Sequence, residues 1–208
     1  MWFRRDLRLH DNHALHHALS QSDNVYCVFI FDKNILNDLK SKEDQRIEFI
    51  WEALSEMKAS LNSLSSDITV IHGDPIHAIP LLLKKYDCEA LFFNKDYESY
   101  ANKRDMRIME HIQQSSADAY QFKDTVLFEE KEILSQADKP YTVFSPYKNN
   151  HLAKLYQKGI TQYDCENNKR SFAKIKIEKL LSLDSLGFTK TNLSKLAIPT
   201  GSSGGRSL

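Results

Sequence analysis

The sequence contains only three cysteines, an odd number with no CxxC pair among them, so neither a disulfide framework nor a zinc site is indicated. Cys27 and Cys88 fall in apolar, strand-like runs, where a thiol packs as a small hydrophobe. Long apolar runs are lacking too. None approaches the ~20 residues that span a bilayer, and the opening Met-Trp-Phe-Arg-Arg lacks the apolar core of a secretory signal. No membrane partner and a cytoplasmic location are therefore expected. GxGxxG, GxxxxGK and GxSxG do not occur, which leaves a pyrophosphate cradle, a P-loop and a serine nucleophile elbow unsupported. His13 and His17 share a helix face beside His10 and His16. Without a carboxylate or third ligand the pattern reads as a solvated helix flank, and no metal is expected.

Charge of one sign is also missing: 28 Lys and Arg balance 28 Asp and Glu. The balance hides an asymmetry, because residues 159–208 hold eight basic and four acidic side chains, leaving 20 basic and 24 acidic in residues 1–158. A body of net negative charge offers no broad footprint for nucleic-acid phosphates. The composition is that of a globular protein, 41% hydrophobic over 208 residues, enough for one well-cored domain and a tail.

Apolar periodicity switches repeatedly between strand and helix types. Short apolar runs predict strands at Trp2–Phe3, Val25–Phe31, Ile68–Ile71, Ala90–Phe93 and Ala119–Phe122. Helices are expected over Glu43–Leu64, Ser99–Gln114 and Tyr147–Gln157. Gly73-Asp74-Pro75 has the turn, cap and first-position residues of a strand-to-helix junction. The fold class is thus α/β, a Rossmann-like, doubly wound, five-stranded parallel sheet over residues 1–158. Residues 159–208 read as an irregular linker, partly disordered if isolated, with one short helix over Ile175–Leu183. Only three residues precede the first arginines where a central strand usually has about five, so a weak first strand in mid-sheet is expected. That start reads as shortened, and Ser203–Leu208 reads as the opening of a further segment.

The most informative stretch is Trp2-Phe3-Arg4-Arg5-Asp6-Leu7-Arg8-Leu9-His10-Asp11-Asn12, in which four charges stand directly behind a strand stub and Asp11 or Asn12 can cap the next helix. A second segment, Phe92-Phe93-Asn94-Lys95-Asp96-Tyr97-Glu98-Ser99-Tyr100-Ala101-Asn102-Lys103-Arg104-Asp105, joins a strand end to an acidic, aromatic loop and a helix start. Sheets of this type bind ligands at the carboxyl ends of their strands, where the strand order reverses. Both loops should converge there. Asp96 and Glu98 can accept hydrogen bonds from a heterocycle, and the first-loop arginines can answer its carbonyls or a phosphate. A third segment, Lys139-Pro140-Tyr141-Thr142-Val143-Phe144-Ser145-Pro146-Tyr147-Lys148, is expected to bury an aromatic run against the sheet edge.

Together the three segments resemble the N-terminal half of the DNA photolyase and cryptochrome family. The resemblance implies a two-domain flavoprotein: an α/β domain holding an antenna chromophore, and a C-terminal helical domain holding FAD and damaged DNA, whose lesion it flips out for repair. It further implies that the FAD cradle, and with it every catalytic residue, lies in the helical domain and not among residues 1–208, so this chain in isolation is expected to be inactive. Two readings from other classes stay open, a cryptochrome photoreceptor and a stand-alone nucleotide-binding module. Folate-binding members carry Asn-Glu where this chain has Tyr100-Ala101. The segment is more similar to members that bind a deazaflavin or a flavin, with Ser99 in place of their proline. By this resemblance the antenna site comprises Arg5, Asp6, Leu7, Arg46, Asp96 and Glu98, and takes a deazaflavin, FMN or FAD rather than methenyltetrahydrofolate.

Overall fold

The computed structural model describes residues 1–208. Its five strands, β1 (Trp2–Phe3), β2 (Cys27–Asp32), β3 (Ile68–Gly73), β4 (Ala90–Asn94) and β5 (Asp118–Phe122), form one sheet in the order β3-β2-β1-β4-β5, with every pairing parallel. The α/β class and strand count agree with the sequence reading. β1 has two residues and stands in the centre, pairing Trp2 with Val28 on one side and Phe93 on the other.

Strand alternation divides the core into two layers. Phe3, Cys27, Phe29, Phe31 and Phe92 point toward α1 (His13–Gln21) and α3 (Gln45–Ser63), which bring Leu15, Leu19, Leu54 and Leu61. Trp2, Val28, Ile30, Leu91 and Phe93 point the other way, toward Ile79 and Leu82 of α4 (Pro75–Lys85) and Ile108 and Ile112 of α5 (Ser99–Gln113). Capping is local and explicit: Asn12, Asp44 and Asp74 each accept a backbone N–H from the first turn of the following helix. Asp32 does the same for the one-turn α2 (Lys33–Leu36).

Four expectations need correction. The aromatic run around Val143 does not bury on the sheet edge: it opens α6 (Phe144–Lys158), and Val143 and Phe144 face solvent because α6 buries none of its residues. Ile175–Leu183 is not helical. The regular pieces of the tail are 3₁₀ turns at Lys169–Ser171, Asp184–Leu186 and Leu193–Lys195, followed by α7 (Gly201–Ser207). The tail is also richer in buried apolar residues than its composition suggests, since Cys165, Phe172, Leu183, Leu186 and Phe188 join the α1/α3 layer of the core. Finally, His13 and His17 are not simply solvated. His13 stacks on Tyr163 at 3.8 Å between ring centroids, and His17 on Phe122 at 4.5 Å.

Candidate functional site

The loops after β1 and β4 meet at the carboxyl edge of the sheet, and a buried polar knot fastens them. Asp6 is buried and accepts from the Arg4 backbone N–H at 2.8 Å, from Asn94 Nδ2 at 2.6 Å and from Asn12 Nδ2 at 3.1 Å. Asn94 Nδ2 also donates to Asn12 Oδ1 at 2.9 Å, and Asn94 Oδ1 accepts from the Ala14 N–H at 2.9 Å. The first turn of α1, the β1 loop and the end of β4 are thereby one unit. Arg4 reinforces it, donating to Asp105 Oδ2 at 2.6 Å and to the Asn94 carbonyl.

On this base stands a pair that remains open to solvent. Arg5 Nη1 lies 2.8 Å from Glu98 Oε1 and 3.8 Å from Asp96, with the Arg5 and Glu98 side chains 66% and 69% exposed. Together with Tyr97 and Thr125 they line a cleft of about 390 Å³, within the size range of small-molecule sites. Lys95 and Tyr97 fix the floor through Glu129, at 2.9 and 3.0 Å. Burial, and then the Glu129 carboxylate, push the Tyr97 phenol well above its ordinary range, so it stays a hydrogen-bond donor.

Outside this cleft, two residues beyond Glu98, Tyr100 reaches the end of β2, donating to Asp32 Oδ2 at 2.8 Å and accepting from Asn34 Nδ2 at 3.2 Å. Burial and then Asp32 raise its phenol to about 12. Behind it Arg104 reaches Asp32 at 3.4 Å and Asp105 at 3.0 Å.

Of the residues expected at the site, Arg5, Asp96 and Glu98 are brought together. Asp6 borders the same cleft, with its carboxylate engaged by the polar knot. Leu7 packs on the core and lines a separate cleft of about 500 Å³ with His10, Met57 and Arg206. Arg46 borders neither cleft and pairs with its own helix cap, Asp44, at 2.6 Å. Sequence reasoning gave no site role to Asp32, or to Asn94, Tyr100, Arg104 and Asp105 of the second segment. A signal was present: Arg104 and Asp105 occupy the buried stripe of α5 between Ala101 and Ile108, where a charge must find a partner.

A parallel sheet in the order 3-2-1-4-5, with polar loops joined where the order reverses, defines a doubly wound α/β domain. Within that class the DNA photolyase family profile matches residues 1–165, and the chain belongs to that family. The deoxyribodipyrimidine photo-lyase of Synechococcus sp. (strain ATCC 27144 / PCC 6301 / SAUG 1402/1) is 32% identical over 152 residues, 73% of this chain and 31% of that protein. Among solved structures, the archaeal photolyase of Sulfolobus tokodaii, which holds two FAD molecules with the implication of a novel light-harvesting cofactor, aligns with a TM-score of 0.60 and 26% identity over 71% of this chain and 33% of that one. The cryptochrome of Synechocystis sp. PCC6803 shares the fold, with a TM-score of 0.71 at 17% identity over 87% of this chain and 38% of that one. The chain spans about a third of the length of these relatives. No helix is long and apolar enough to cross a membrane.

Proposed function

We propose that residues 1–158 form the light-harvesting domain of a deoxyribodipyrimidine photolyase, with a flavin or deazaflavin seated at the switch point. The observation that carries this reading is the Arg5–Asp96–Glu98 cluster. A guanidinium donor beside two carboxylate acceptors complements the edge of a pyrimidinedione ring, which offers carbonyl oxygens flanking an N–H. The donor set therefore fits such a chromophore.

A bound chromophore would supply absorption of light and transfer of the excitation to FAD in the family's helical domain. The chain's own residues do the seating. Arg5 and Glu98 exchange their mutual ion pair for contacts with the ring edge, a low-cost step because an exposed pair contributes only about 0–1 kcal/mol. The Asp6–Asn12–Asn94 knot keeps the two loops in register while that exchange occurs. Repair of pyrimidine dimers, binding of damaged DNA and the FAD itself belong in this reading to the helical domain, so residues 1–208 alone repair nothing.

Titration of FMN and of a deazaflavin into the folded protein, followed by absorbance and fluorescence, tests the seat. Saturable binding is expected. Arg5→Ala and Glu98→Gln should each weaken it about tenfold, the worth of one charge-assisted hydrogen bond. A folded sample that binds neither compound removes the reading.

A further inference from the structure

Two residues beyond Glu98, Tyr100 exposes 40% of its surface, yet it is held from three sides. Asp32 and Asn34 fix its hydroxyl, and the Arg104 guanidinium lies 5.6 Å from its ring centroid. From Asp32 an alternating chain of charges, Asp32–Arg104–Asp105–Arg4, runs at 3.4, 3.0 and 2.6 Å from the end of β2 across α5 to the end of β1. Arg4 immediately precedes Arg5. Trp2 is inserted between the two guanidiniums, 4.8 Å from that of Arg4 and 5.0 Å from that of Arg104.

All four charged side chains are 10% exposed or less. Desolvation largely offsets the attraction in such a chain, so net stability is a poor explanation for it. What it delivers at its solvent end is an aromatic face with little freedom left to lose, and a rigid ring binds planar partners at low entropic cost. Ile35, next to Asn34 and 45% exposed, adds apolar surface on the same flank.

We propose that Tyr100 is the stacking platform for the planar heteroaromatic ring of the ligand, on the β2 flank of the Arg5–Glu98 pair, with Asp32, Arg104, Asp105 and Arg4 as its positioning residues. This inference rests on the switch-point seat described above and adds where the ring lies and what holds its face. The polar edge of the ring then points to Arg5 and Glu98 while its plane covers Tyr100.

The test titrates FMN into the wild-type chain and into Tyr100→Phe, Tyr100→Leu and Asp32→Asn. Affinity, flavin fluorescence and the visible circular dichroism induced in the bound flavin are recorded, and far-ultraviolet spectra establish folding. Tyr100→Phe should hold affinity within about threefold. Tyr100→Leu should lose about tenfold, as removal of one stacked aromatic does, together with the induced band. Asp32→Asn should keep the ring but shrink the band, because the platform is no longer aimed. If the wild type binds FMN and Tyr100→Leu leaves affinity and band unchanged, the platform is overturned while the seat stands. If the folded wild type binds neither FMN nor the deazaflavin, both fall, and where only the deazaflavin binds, the same variants are read with it. Should Asp32→Asn fail to fold, the exposed Tyr100 substitutions still decide the matter.

Discussion

At the scale of single residues, the carboxyl edge separates groups that hold from groups that remain available. Asp6, Asn12 and Asn94 satisfy one another almost completely, and removing one member leaves buried donors without partners. Asn94→Ala should lower unfolding free energy by about 1–3 kcal/mol in urea melts, since Asp6 and the Ala14 N–H both lose a partner. Arg5→Ala, whose side chain is largely exposed, should change the same melts by less than about 0.5 kcal/mol. Equal effects of the two substitutions would contradict this division. The charged first loop was legible in the sequence because four charges behind an apolar stub demand an explanation. Its internal allocation was not: nothing local distinguishes Asp6, which turns inward onto residues 88 positions away, from Asp96, which meets Arg5. Arg46 shows the same limit from the other side. The resemblance placed it among the ligand contacts, and in the structure its own helix cap, Asp44, engages it.

At the scale of elements, the sheet and its helices were readable because each obeys a single period, and the observed bounds of β2 to β5 differ from expectation by a residue or two. α6 was readable as a helix but not in its environment. The sequence suggested burial from aromatic content, whereas the helix is held by polar contacts that no periodicity reports. Glu132 is the centre of these: it pairs with Lys123 at 2.7 Å and Lys158 at 3.4 Å, accepts from the Glu129 N–H at 2.6 Å, and its carbonyl accepts from Lys154. The Lys123 hydrogen bond, then that of Glu129, hold the Glu132 carboxyl down at about 2 from an ordinary 4.5. A depressed carboxylate contributes stability that is complete above about pH 4.5 and is lost as pH falls toward 2. Protection factors of the α6 amides, with the intrinsic exchange rates divided out, should therefore fall on acidification through that window, and Glu132→Gln should show the reduced protection already at neutral pH. Exchange in the variant that matches wild type at pH 7 would rule out this anchoring role.

At the scale of the whole molecule, the open question is how far residues 159–208 belong to the α/β body. Composition suggested a linker, because its apolar residues are scattered singly along a polar chain. Scattered residues can still be collected by a surface that is already folded. Phe172 bridges Val25, with the Val25 N–H donating to Ser171 at 2.7 Å and the Ala173 N–H to Val25 at 3.0 Å. Farther along, Trp51 of α3 donates through Nε1 to the Leu181 carbonyl at 2.7 Å, and Glu48 accepts from the Thr191 N–H at 2.7 Å. Phe172, Leu183, Leu186, Phe188 and Leu193 are all buried, and each is worth about 1.5–3 kcal/mol by area, an upper estimate. Removing Phe172, Leu183, Leu186 and Phe188 would also uncover the α1/α3 layer of the core that they join. A chain ending at residue 158 should therefore unfold at markedly lower urea than residues 1–208, and its tryptophan emission should shift to the red as Trp51 loses the cover of Leu181. An unchanged midpoint and unchanged emission would show instead that the division at residue 158 is a true domain boundary and that the tail merely rests on the body it follows.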